Sequence, residues 1–248
     1  MKKLSIIMPC FNCEEIISDT IIKLFNLVKD ANLDSYEFIL INDGSSDNTA
    51  EIISNFQSEN IKFIDNKKNL GKSASILIGL NNSKFDNVIL IDCDLPYIDK
   101  ILEVLRNLDQ FDFVYINRKS KESKIINNTK GFYIFSRFVI GHTISILLNL
   151  FFFNFKVGDT QAGLKAFKKP INLNEYKFIS KKFFFDAELM LIFYRSGIKL
   201  FDIPVVYEID KKSSINIFSI KNIKIILELL QVIIFYSLNK TNKIKLKD

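Results

Sequence analysis

The sequence predicts an α/β protein with a Rossmann-like, mostly parallel sheet, helices on both faces and an amphipathic helical extension at the C-terminus. Two observations carry this prediction. Short apolar runs alternate with amphipathic stretches of helical length through residues 4–116, and polar turns follow the apolar runs. Strands that alternate with helices form parallel sheets through right-handed crossovers. The polar turns should therefore meet at one edge of the sheet, where ligands bind in such folds.

Five strands and four helices are predicted in the first half of the chain, in alternation. Each strand is a run of apolar residues, and each helix has apolar residues every three or four positions. The predicted strands are Leu4–Met8, Tyr36–Ile41, Ile61–Ile64, Val88–Ile91 and Phe113–Ile116. The predicted helices are Glu14–Lys29, a helix around Ile52–Phe56 capped by Ser46 or Asp47, a helix that opens at Asn69 to Ser73 and runs to about Leu80, and Tyr97–Leu108.

The second half has a less regular pattern. A charged stretch without periodicity predicts a loop, and a proline within a later strand predicts that this strand lies at an edge of the sheet. In chain order we expect a loop at Lys119–Lys130, one or two apolar helices in Phe132–Phe153, a turn at Gly158–Gly163, a helix at Phe183–Tyr194, an edge strand within Leu200–Tyr207 and an amphipathic helix at Phe218–Leu238.

Charge is distributed unevenly along the chain. Residues 1–118 hold 12 Lys and Arg against 18 Asp and Glu, a net charge of −6, and residues 119–248 hold 22 against 10, a net charge of +12. A basic half rich in phenylalanine fits an anionic membrane surface, and no nucleic-acid-binding signature is present. The alternative is a solvated basic face with a lysine-rich tail. Without a secretory signal or an uncharged run of about 18 apolar residues, we expect a peripheral protein on the cytoplasmic, inner face of the membrane.

The three cysteines of the chain are Cys10, Cys13 and Cys93. Cys10 and Cys13 form a C-x-x-C, which is compatible with a redox pair or half of a metal site. No second C-x-x-C and no histidine lies nearby, so ordinary thiols in a reduced, cytosolic compartment are the favoured interpretation.

Two carboxylates follow the fourth predicted strand. Val88-Ile89-Leu90-Ile91 leads directly into Asp92-Cys93-Asp94. Alternate residues of an extended chain point the same way, so Asp92 and Asp94 can face one cation. Oxygen ligands suit Mg²⁺ or Mn²⁺, which often bind a substrate diphosphate as well. A solvated acidic turn is the alternative, because a lone D-x-D is a short motif.

Four strand-end loops form an ordered set that includes this acidic motif. They read Pro9-Cys10-Phe11-Asn12, Asn42-Asp43-Gly44-Ser45-Ser46-Asp47, Asn69-Leu70-Gly71-Lys72 and Asp92-Cys93-Asp94. In this order they resemble the family 2 glycosyltransferases of the GT-A fold. Three later segments look like the branch that transfers sugars to polyprenyl phosphates, which includes dolichyl-phosphate glucosyl- and mannosyltransferases. These segments are Asp159-Thr160-Gln161-Ala162-Gly163-Leu164-Lys165, Phe185-Asp186-Ala187-Glu188-Leu189 and Ile203-Pro204-Val205.

The resemblance implies a site for a metal ion and a nucleotide sugar in the first half. In this site Asp94 ligates the metal, Asp92 lies near the ribose or the metal, and Asp43 hydrogen-bonds the base or ribose. Lys72 would pair with a phosphate or with Asp43, and its alternative is a solvated lysine at a helix start. The other residues implied in donor binding are Pro9, Phe11, Asn12, Glu14, Gly71, Cys93 and Arg118.

The resemblance also implies a pocket for the sugar and the acceptor, formed by residues of the second half. Asp159 and Gln161 would line this pocket. Asp186 and Glu188 stand at a predicted helix start, where the helix dipole alone also favours carboxylates. With Asp94, these four residues form the catalytic set that we expect.

The acceptor phosphate needs cationic partners, for which Arg137 and Lys130 are the candidates, although Lys130 fits a solvated cation better. A polyprenyl phosphate is already ionised near neutral pH and needs no strong general base. A sugar hydroxyl would need one, and Asp159 or Glu188 would then serve. His142, the only histidine, lies in an apolar segment and is interpreted as a packed or surface residue.

Two positions depart from the family pattern. Cys13 stands where many relatives carry glutamate, and Pro96 stands where mannosyltransferase-like relatives often carry a glutamine near the metal. Together with Asp159-Thr160-Gln161, Pro96 favours a glucosyl-type member.

The resulting hypothesis is a metal-dependent, inverting enzyme that moves a hexose from a UDP- or GDP-sugar to a polyprenyl phosphate. One alternative acceptor is a surface glycan or lipid-linked oligosaccharide, and a non-enzymatic alternative is a nucleotide-binding or membrane scaffold. We expect a GT-A domain over residues 1–212, with a nucleotide-sugar half (1–118) and an acceptor half (119–212). Residues 213–248 would form an amphipathic helix and basic tail. The sequence is also compatible with a homo-oligomer.

Overall fold

A computed structural model describes residues 3–31, 33–126, 141, 143–153, 157–169, 173–181, 183–208 and 220–239. The strands are β1 (Lys3–Cys10), β2 (Ser35–Asp43), β3 (Ile61–Asn66), β4 (Asn87–Ile91), β5 (Phe113–Asn117), β6 (Lys124–Ile125), β7 (Leu164–Lys168), β8 (Leu200–Pro204) and β9 (Val206–Tyr207). The described α-helices include α1 (Ile17–Asp30), α2 (Thr49–Ser54), α3 (Lys72–Asn82), α4 (Ile101–Leu108), α5 (Phe185–Arg195) and α6 (Ile220–Leu238). Residues 143–148 are also helical and continue into a π-helical turn, Asn149–Phe153.

Seven strands form one mixed sheet in the order β3-β2-β1-β4-β7-β5-β8. The pairs β1–β2, β2–β3 and β1–β4 are parallel, which confirms the predicted α/β fold with a mostly parallel sheet. β7 runs antiparallel between β4 and β5. β8 lies at an edge, as its proline predicts.

The core forms where both faces of the central strands are covered. In β1 the residues from Leu4 to Met8 are buried, and in β4 the residues from Val88 to Ile91 are buried. A strand buried on both faces has a continuous apolar run, which explains why these strands are visible in the sequence. Gly79 lets α3 approach β1 closely, because a Cβ at this glycine would lie 2.5 Å from Ile7 Cγ2.

The structure corrects three local predictions. β7 was not predicted, because its lysine-containing sequence, Leu164-Lys165-Ala166-Phe167-Lys168, does not resemble a buried strand. The short strand β6 lies within the predicted loop and pairs in parallel with β9. Helix α2 has Asn48 at its N-cap rather than Ser46 or Asp47, although Asp47 Oδ1 accepts a hydrogen bond from the Thr49 N–H (3.1 Å).

The chain divides into two compact units. The first unit comprises Met1–Tyr115 with Gly163–Ile171, and the second comprises Ile116–Ala162 with Asn172–Asp248. The described residues do not include Lys130, Arg137 or His142. They also do not include the start of the helix predicted after Phe132. Among the helices that are described, none combines the length and apolarity that crossing a bilayer requires.

Candidate active site

In the first unit, the loops after β1 and β2 are joined by hydrogen bonds. The Asn12 N–H donates to Ser45 Oγ (3.0 Å), and Asn12 Oδ1 accepts from the Ser46 N–H (2.9 Å). Glu14 Oε2 accepts from the Asn48 N–H (2.9 Å). These bonds fix the β1 loop, which bears the exposed ring of Phe11, at the rim of a cleft of about 280 Å³. The cleft is lined by Phe11, Asn12, Cys13, Glu14, Glu15, Ile16, Asp47 and Cys93.

Asp43, at the end of β2, organises the turn that begins α3. Its carboxylate is buried and accepts hydrogen bonds from the N–H groups of Leu70 (2.8 Å) and Gly71 (3.0 Å). Gly71 has a φ of +92°, a conformation that glycine adopts without strain. Asp43 also accepts a hydrogen bond from Asn66 Nδ2 of β3 (3.4 Å), so its described contacts are with neighbouring protein groups, and its contact with a base or ribose stays a prediction.

The two carboxylates of the D-x-D motif lie at the end of β4. Asp92 Oδ1 forms an ion pair with Lys72 Nζ (2.8 Å), at the start of α3. Asp94 is exposed. The structure therefore brings Lys72 to Asp92, one of the predicted metal ligands.

Strained backbone conformations occur in the loops after β1 and β4. In the part of the chain that the structure describes, three non-glycine residues have positive φ: Asn12 (49°), Leu95 (48°) and Tyr97 (63°). Asn12 lies in the loop after β1, and Leu95 and Tyr97 flank Pro96 directly after the D-x-D motif. Such conformations cost about 1–3 kcal/mol each and persist where the surrounding structure fixes them, often at functional sites.

Gly163 is a residue of this site to which the sequence assigned no role. Its carbonyl accepts a hydrogen bond from the Asp92 N–H (3.2 Å). A Cβ at position 163 would lie 2.4 Å from Asp92 Oδ2 and 2.8 Å from Pro96 Cγ. The Asp92 side chain therefore needs a glycine at this position. In the sequence, the glycine that ends the turn-rich stretch before β7 is the feature that could have indicated this requirement.

The second unit holds the predicted residues Arg118 and Asp159 as a bidentate ion pair. Arg118 Nε donates to Asp159 Oδ2 (2.5 Å), and Nη2 donates to Oδ1 (3.1 Å). Burial alone raises the pKa of the fully buried Asp159 carboxyl, but Arg118, Lys119 and the Gln161 N–H together lower that pKa below its usual value. Asp159 is consequently a permanent anion that fixes the guanidinium of Arg118.

The neighbours of this ion pair are also polar. The Gln161 N–H donates to Asp159 Oδ1 (2.9 Å), so Gln161 belongs to the same cluster. Asn117 Nδ2 donates to Asp202 Oδ2 (2.8 Å) and packs against Gly158, where a Cβ would lie 2.2 Å from that nitrogen. No sequence pattern indicates this role of Asn117.

Asp186 and Glu188 both lie in the first turn of α5, as predicted, and both are buried. Glu188 is fully buried and accepts hydrogen bonds from the N–H groups of Ile179 (2.8 Å) and Ser180 (2.6 Å) and from Tyr236 Oη (2.7 Å). Both of its oxygens are thereby occupied by the protein, so the contacts of Glu188 are those of a structural carboxylate. A catalytic role for Asp186 or Glu188 stays a prediction.

Lys165 is a buried lysine that the sequence did not single out. It lies in β7 in register with Leu90 of β4 and Tyr115 of β5, and it is 1 % exposed. A lysine at this depth has polar partners in native proteins. In the sequence, only the apolar residues on either side of Lys165 indicate that it is buried.

Within the described residues, no group of three or more His, Cys, Asp and Glu side chains has the arrangement of a metal site. Asp92 and Asp94 form a pair of carboxylates. Mg²⁺ is commonly bound through one or two carboxylates together with substrate phosphates. The donor set of this pair therefore fits a metal that is shared with a diphosphate.

The mixed sheet, with a D-x-D loop directly after the central strand β4, is the architecture of a GT-A fold. The sequence model of "Glycosyl transferase family 2" matches residues 5–172, and the chain belongs to this family. It is accordingly a hexosyltransferase of the EC 2.4 class, which confirms the predicted family and the prediction of an enzyme.

Two relatives illustrate the range of this family. Dolichyl-phosphate beta-glucosyltransferase ALG5D of Trichomonas vaginalis is 26 % identical and covers 95 % of this chain and 74 % of its own length. The poly-beta-1,6-N-acetyl-D-glucosamine synthase of Staphylococcus epidermidis is 36 % identical over 92 residues, which are 37 % of this chain and 21 % of that protein.

Solved structures share the fold. Glucosyl-3-phosphoglycerate synthase of Mycobacterium tuberculosis, in complex with phosphoglyceric acid, has a TM-score of 0.64 at 16 % identity, over 98 % of this chain and 81 % of that chain. The same enzyme has been solved with Mn²⁺, UDP-glucose and phosphoglyceric acid. Mannosyl-3-phosphoglycerate synthase of Rubrobacter xylanophilus has a TM-score of 0.60 at 13 % identity, over 100 % of this chain and 77 % of that chain.

Proposed function

We propose that the chain transfers a hexose, with inversion, from a UDP- or GDP-hexose to a polyprenyl phosphate at the inner face of the membrane, with Mg²⁺ or Mn²⁺ as cofactor. The observation that carries this proposal is the similarity to a dolichyl-phosphate beta-glucosyltransferase, which extends over 95 % of the chain. The first unit would bind the donor, and the second would contribute the Arg118 cluster.

The donor chemistry follows from the loops of the first unit. The exposed ring of Phe11 offers a stacking surface for a base, and Asp92 and Asp94 would hold the divalent ion. When bound, that ion would neutralise the charge that develops on the departing diphosphate. Lys72, which is paired with Asp92, supplies a second positive charge at the same loop.

The acceptor chemistry is supported by the ion pair of the second unit. A polyprenyl phosphate is anionic near neutral pH, so it can attack the anomeric carbon without a general base. Arg118 uses Nε and Nη2 for Asp159 and is 30 % exposed. We assign it the role of a fixed cation for a phosphate oxygen of the acceptor, in place of the donor contact that the resemblance implies. Asp159 then orients this cation and does not take up a proton.

The exposed side of α6 supports the membrane part of the proposal. Leu229, Val232 and Tyr236 form its buried side. On the outer side, apolar residues recur every four positions, at Ile226, Leu230, Ile234 and Leu238, with exposed fractions of 58, 48, 58 and 78 %. Apolar stripes on the outside of a basic, Phe-rich half are typical of helices that lie in a membrane interface.

We expect Asp94→Asn to lower kcat/KM at least about a hundredfold, because the carboxylate that would bind the ion is lost and such ions supply several kcal/mol of transition-state stabilisation. The assay combines Mn²⁺, radiolabelled UDP- or GDP-hexoses and polyprenyl phosphate, and it measures label in the lipid phase. Asp99→Asn, at an exposed aspartate in the following 3-10 turn, is the matched control. Transfer that is unchanged in EDTA would contradict the proposed requirement for a divalent metal ion.

Gly163→Ala should weaken Mn²⁺-dependent UDP binding by about tenfold or more, because the new methyl group displaces the Asp92 carboxylate, and groups that orient metal ligands are commonly worth 10–100-fold in affinity. Titration calorimetry with UDP and Mn²⁺ measures this. Gly141→Ala is the control, since a Cβ there has no atom within 4 Å. Equal UDP affinity in both variants would refute the role of Gly163.

Replacing Ile226, Leu230 and Ile234 together by serine should reduce pelleting with anionic vesicles more than about tenfold, since each fully buried aliphatic side chain contributes roughly 1.5–3 kcal/mol. The buried side of α6 is untouched, so the helix stays packed. Ile22→Ser, at a residue of α1 that is 49 % exposed, controls for the loss of apolar surface. Negligible binding of the unmutated protein to both anionic and neutral vesicles would contradict the proposed binding to a membrane surface.

A surface glycan or lipid-linked oligosaccharide is the second candidate acceptor. The 36 % identity over 92 residues to a poly-beta-1,6-N-acetyl-D-glucosamine synthase favours it. The same assay separates the candidates: label in a polyprenyl phosphate sugar supports the first, and label only in a glycan or lipid-linked oligosaccharide supports the second.

A further inference from the structure

Three cysteines lie at or beside the cleft of the first unit. Cys10 ends β1, Cys13 lies in the loop after it and Cys93 lies between the two carboxylates that follow β4; all three are free thiols. β1 pairs in parallel with β4, with Ile7 opposite Leu90, so Cys93 lies beside the end of β1. Cys13 and Cys93 also line the same cleft.

Two of the three sulfurs face the cleft. Cys13 and Cys93 line it, so a small solute in the cleft reaches both. Cys10 is 0 % exposed, and its thiol donates to the Met8 carbonyl (3.6 Å). The pair that an external reagent meets is therefore Cys13 and Cys93, and not the C-x-x-C pair that the sequence displays.

We propose that Cys13 and Cys93 form a reversible oxidation site, which peroxides convert into a disulfide that hinders donor binding. The disulfide itself is independent of the function proposed above, whereas its effect on the donor rests on that function.

The reaction balances with peroxide as the only oxidant. The Cys13 thiolate attacks one peroxide oxygen, so that an S–O bond forms, the O–O bond breaks and hydroxide leaves to become water. The Cys93 sulfur then attacks the sulfenic sulfur of Cys13, the S–S bond forms, and the sulfenic oxygen leaves as a second water with the Cys93 proton. Two thiols are oxidised by two electrons, and one hydrogen peroxide is reduced to two waters.

The environment of Cys13 favours the first step. The neighbouring Cys10 and Cys93 thiols, together with the Thr49 hydroxyl 3.9 Å from the Cys13 sulfur, lower the pKa of Cys13 well below that of an ordinary thiol, against the opposing effects of burial and of Asp47. A thiolate is the species that reacts with peroxide. Since Cys93 lines the same cleft as Cys13, its sulfur is available for the second step.

The position of Cys93 explains the expected effect on the donor. Its neighbours in sequence are Asp92 and Asp94, and its carbonyl accepts a hydrogen bond from Thr20 Oγ1 (2.8 Å). A covalent bond to Cys13 would tie the turn between the two carboxylates to the loop after β1. The carboxylates could then no longer adjust to an ion and a diphosphate, and the mouth of the cleft would narrow.

Peptide mapping of the full chain after treatment with hydrogen peroxide tests the disulfide directly. Trypsin yields the peptides 4–23, with Cys10 and Cys13, and 85–100, with Cys93. We expect these two peptides to be cross-linked in the unmutated protein and in Cys10→Ala, to be separate in Cys13→Ala and Cys93→Ala, and to be released by dithiothreitol. Fragmentation of the wild-type cross-linked peptide between positions 10 and 13 identifies the linked cysteine without any variant. A Cys10–Cys13 bond, a Cys10–Cys93 bond or only sulfinic and sulfonic acids would overturn the proposal.

Binding of UDP with Mn²⁺ before and after oxidation tests the effect on the donor. We expect affinity to fall by about tenfold or more, the range found when the groups that orient metal ligands are lost, and to return with dithiothreitol. Equal affinity of the reduced and the cross-linked protein would overturn this effect. If the reduced protein binds neither UDP nor GDP with Mn²⁺, the proposed function fails, while the mapping result still decides the oxidation site.

Discussion

Arg118→Ala is expected to lower the free energy of unfolding by about 3 kcal/mol, since it leaves a fully buried carboxylate without its cation. The bidentate pair with Asp159 is the source of this effect. Urea denaturation at pH 7 measures it. Arg106→Ala, on the exposed surface of α4, should change stability by no more than about 0.5 kcal/mol.

A second substitution isolates the charge from the packing of Arg118. Adding Asp159→Asn to Arg118→Ala removes the uncompensated anion, so the double variant should recover part of the lost stability. A double variant less stable than either single variant would show that the two residues contribute independently, contrary to the ion pair.

The pH dependence of this effect has a definite sign. The folded-state pKa of Asp159 lies below its unfolded value. The ion pair therefore contributes stability that is present above the unfolded pKa and is lost as the pH falls through the folded pKa. The difference between the unmutated protein and Arg118→Ala should accordingly shrink as the pH falls, because burial raises the pKa of Asp159 once Arg118 is removed, and the protonated carboxyl of the variant needs no cation.

Glu188→Ala should have an effect of similar size, about 4 kcal/mol at pH 6, since three buried donors lose their acceptor at roughly 1–3 kcal/mol each. These donors come from the segment before α5 and from α6, so the carboxylate connects both to α5. Denaturation in urea gives the value. Glu122→Ala, at an exposed glutamate of the same unit, is the control.

Glu188 should also make stability depend on pH, with the opposite sign to Asp159. Burial raises its pKa from 4.5 to about 7, against the hydrogen bonds of Ile179, Tyr236 and Ser180; the nearby charge of Glu228 adds to the rise. A raised pKa gives stability that is fully present below pH 4.5 and is lost as the pH rises through 7, in total about 3 kcal/mol. Glu188→Gln should remove this dependence, and an unchanged slope between pH 5 and 8 in that variant would refute the assignment.

Sequence patterns predicted the first half of the fold well for a physical reason. The strands β1, β2 and β4 are buried on both faces, so their apolar runs are continuous, and each following loop is polar because it ends at the ligand edge. β7 escaped prediction because two lysines interrupt its short apolar sequence and because it completes its hydrogen bonds with strands that are distant in sequence.

Residue types could be predicted for the candidate site, but not their partners. Arg118 and Asp159 were each expected to bind ligands, and the structure joins them to each other across 41 positions of sequence. Glu188 was expected beside a substrate because of the family resemblance, but Tyr236, 48 positions later, is one of its partners. Long-range pairing of this kind has no signature in the local pattern.

The antiparallel strand β7 has a consequence for the synthesis of the chain. β4 pairs with β1 as soon as about 90 residues are available, but its other edge is completed only by Leu164–Lys168. On the ribosome, the edge formed by Val88 to Ile91 therefore stays unpaired while more than 70 further residues are made. Unpaired apolar edges associate with one another. Nascent chains that stall before residue 164 should thus depend on chaperones far more than chains that have passed it.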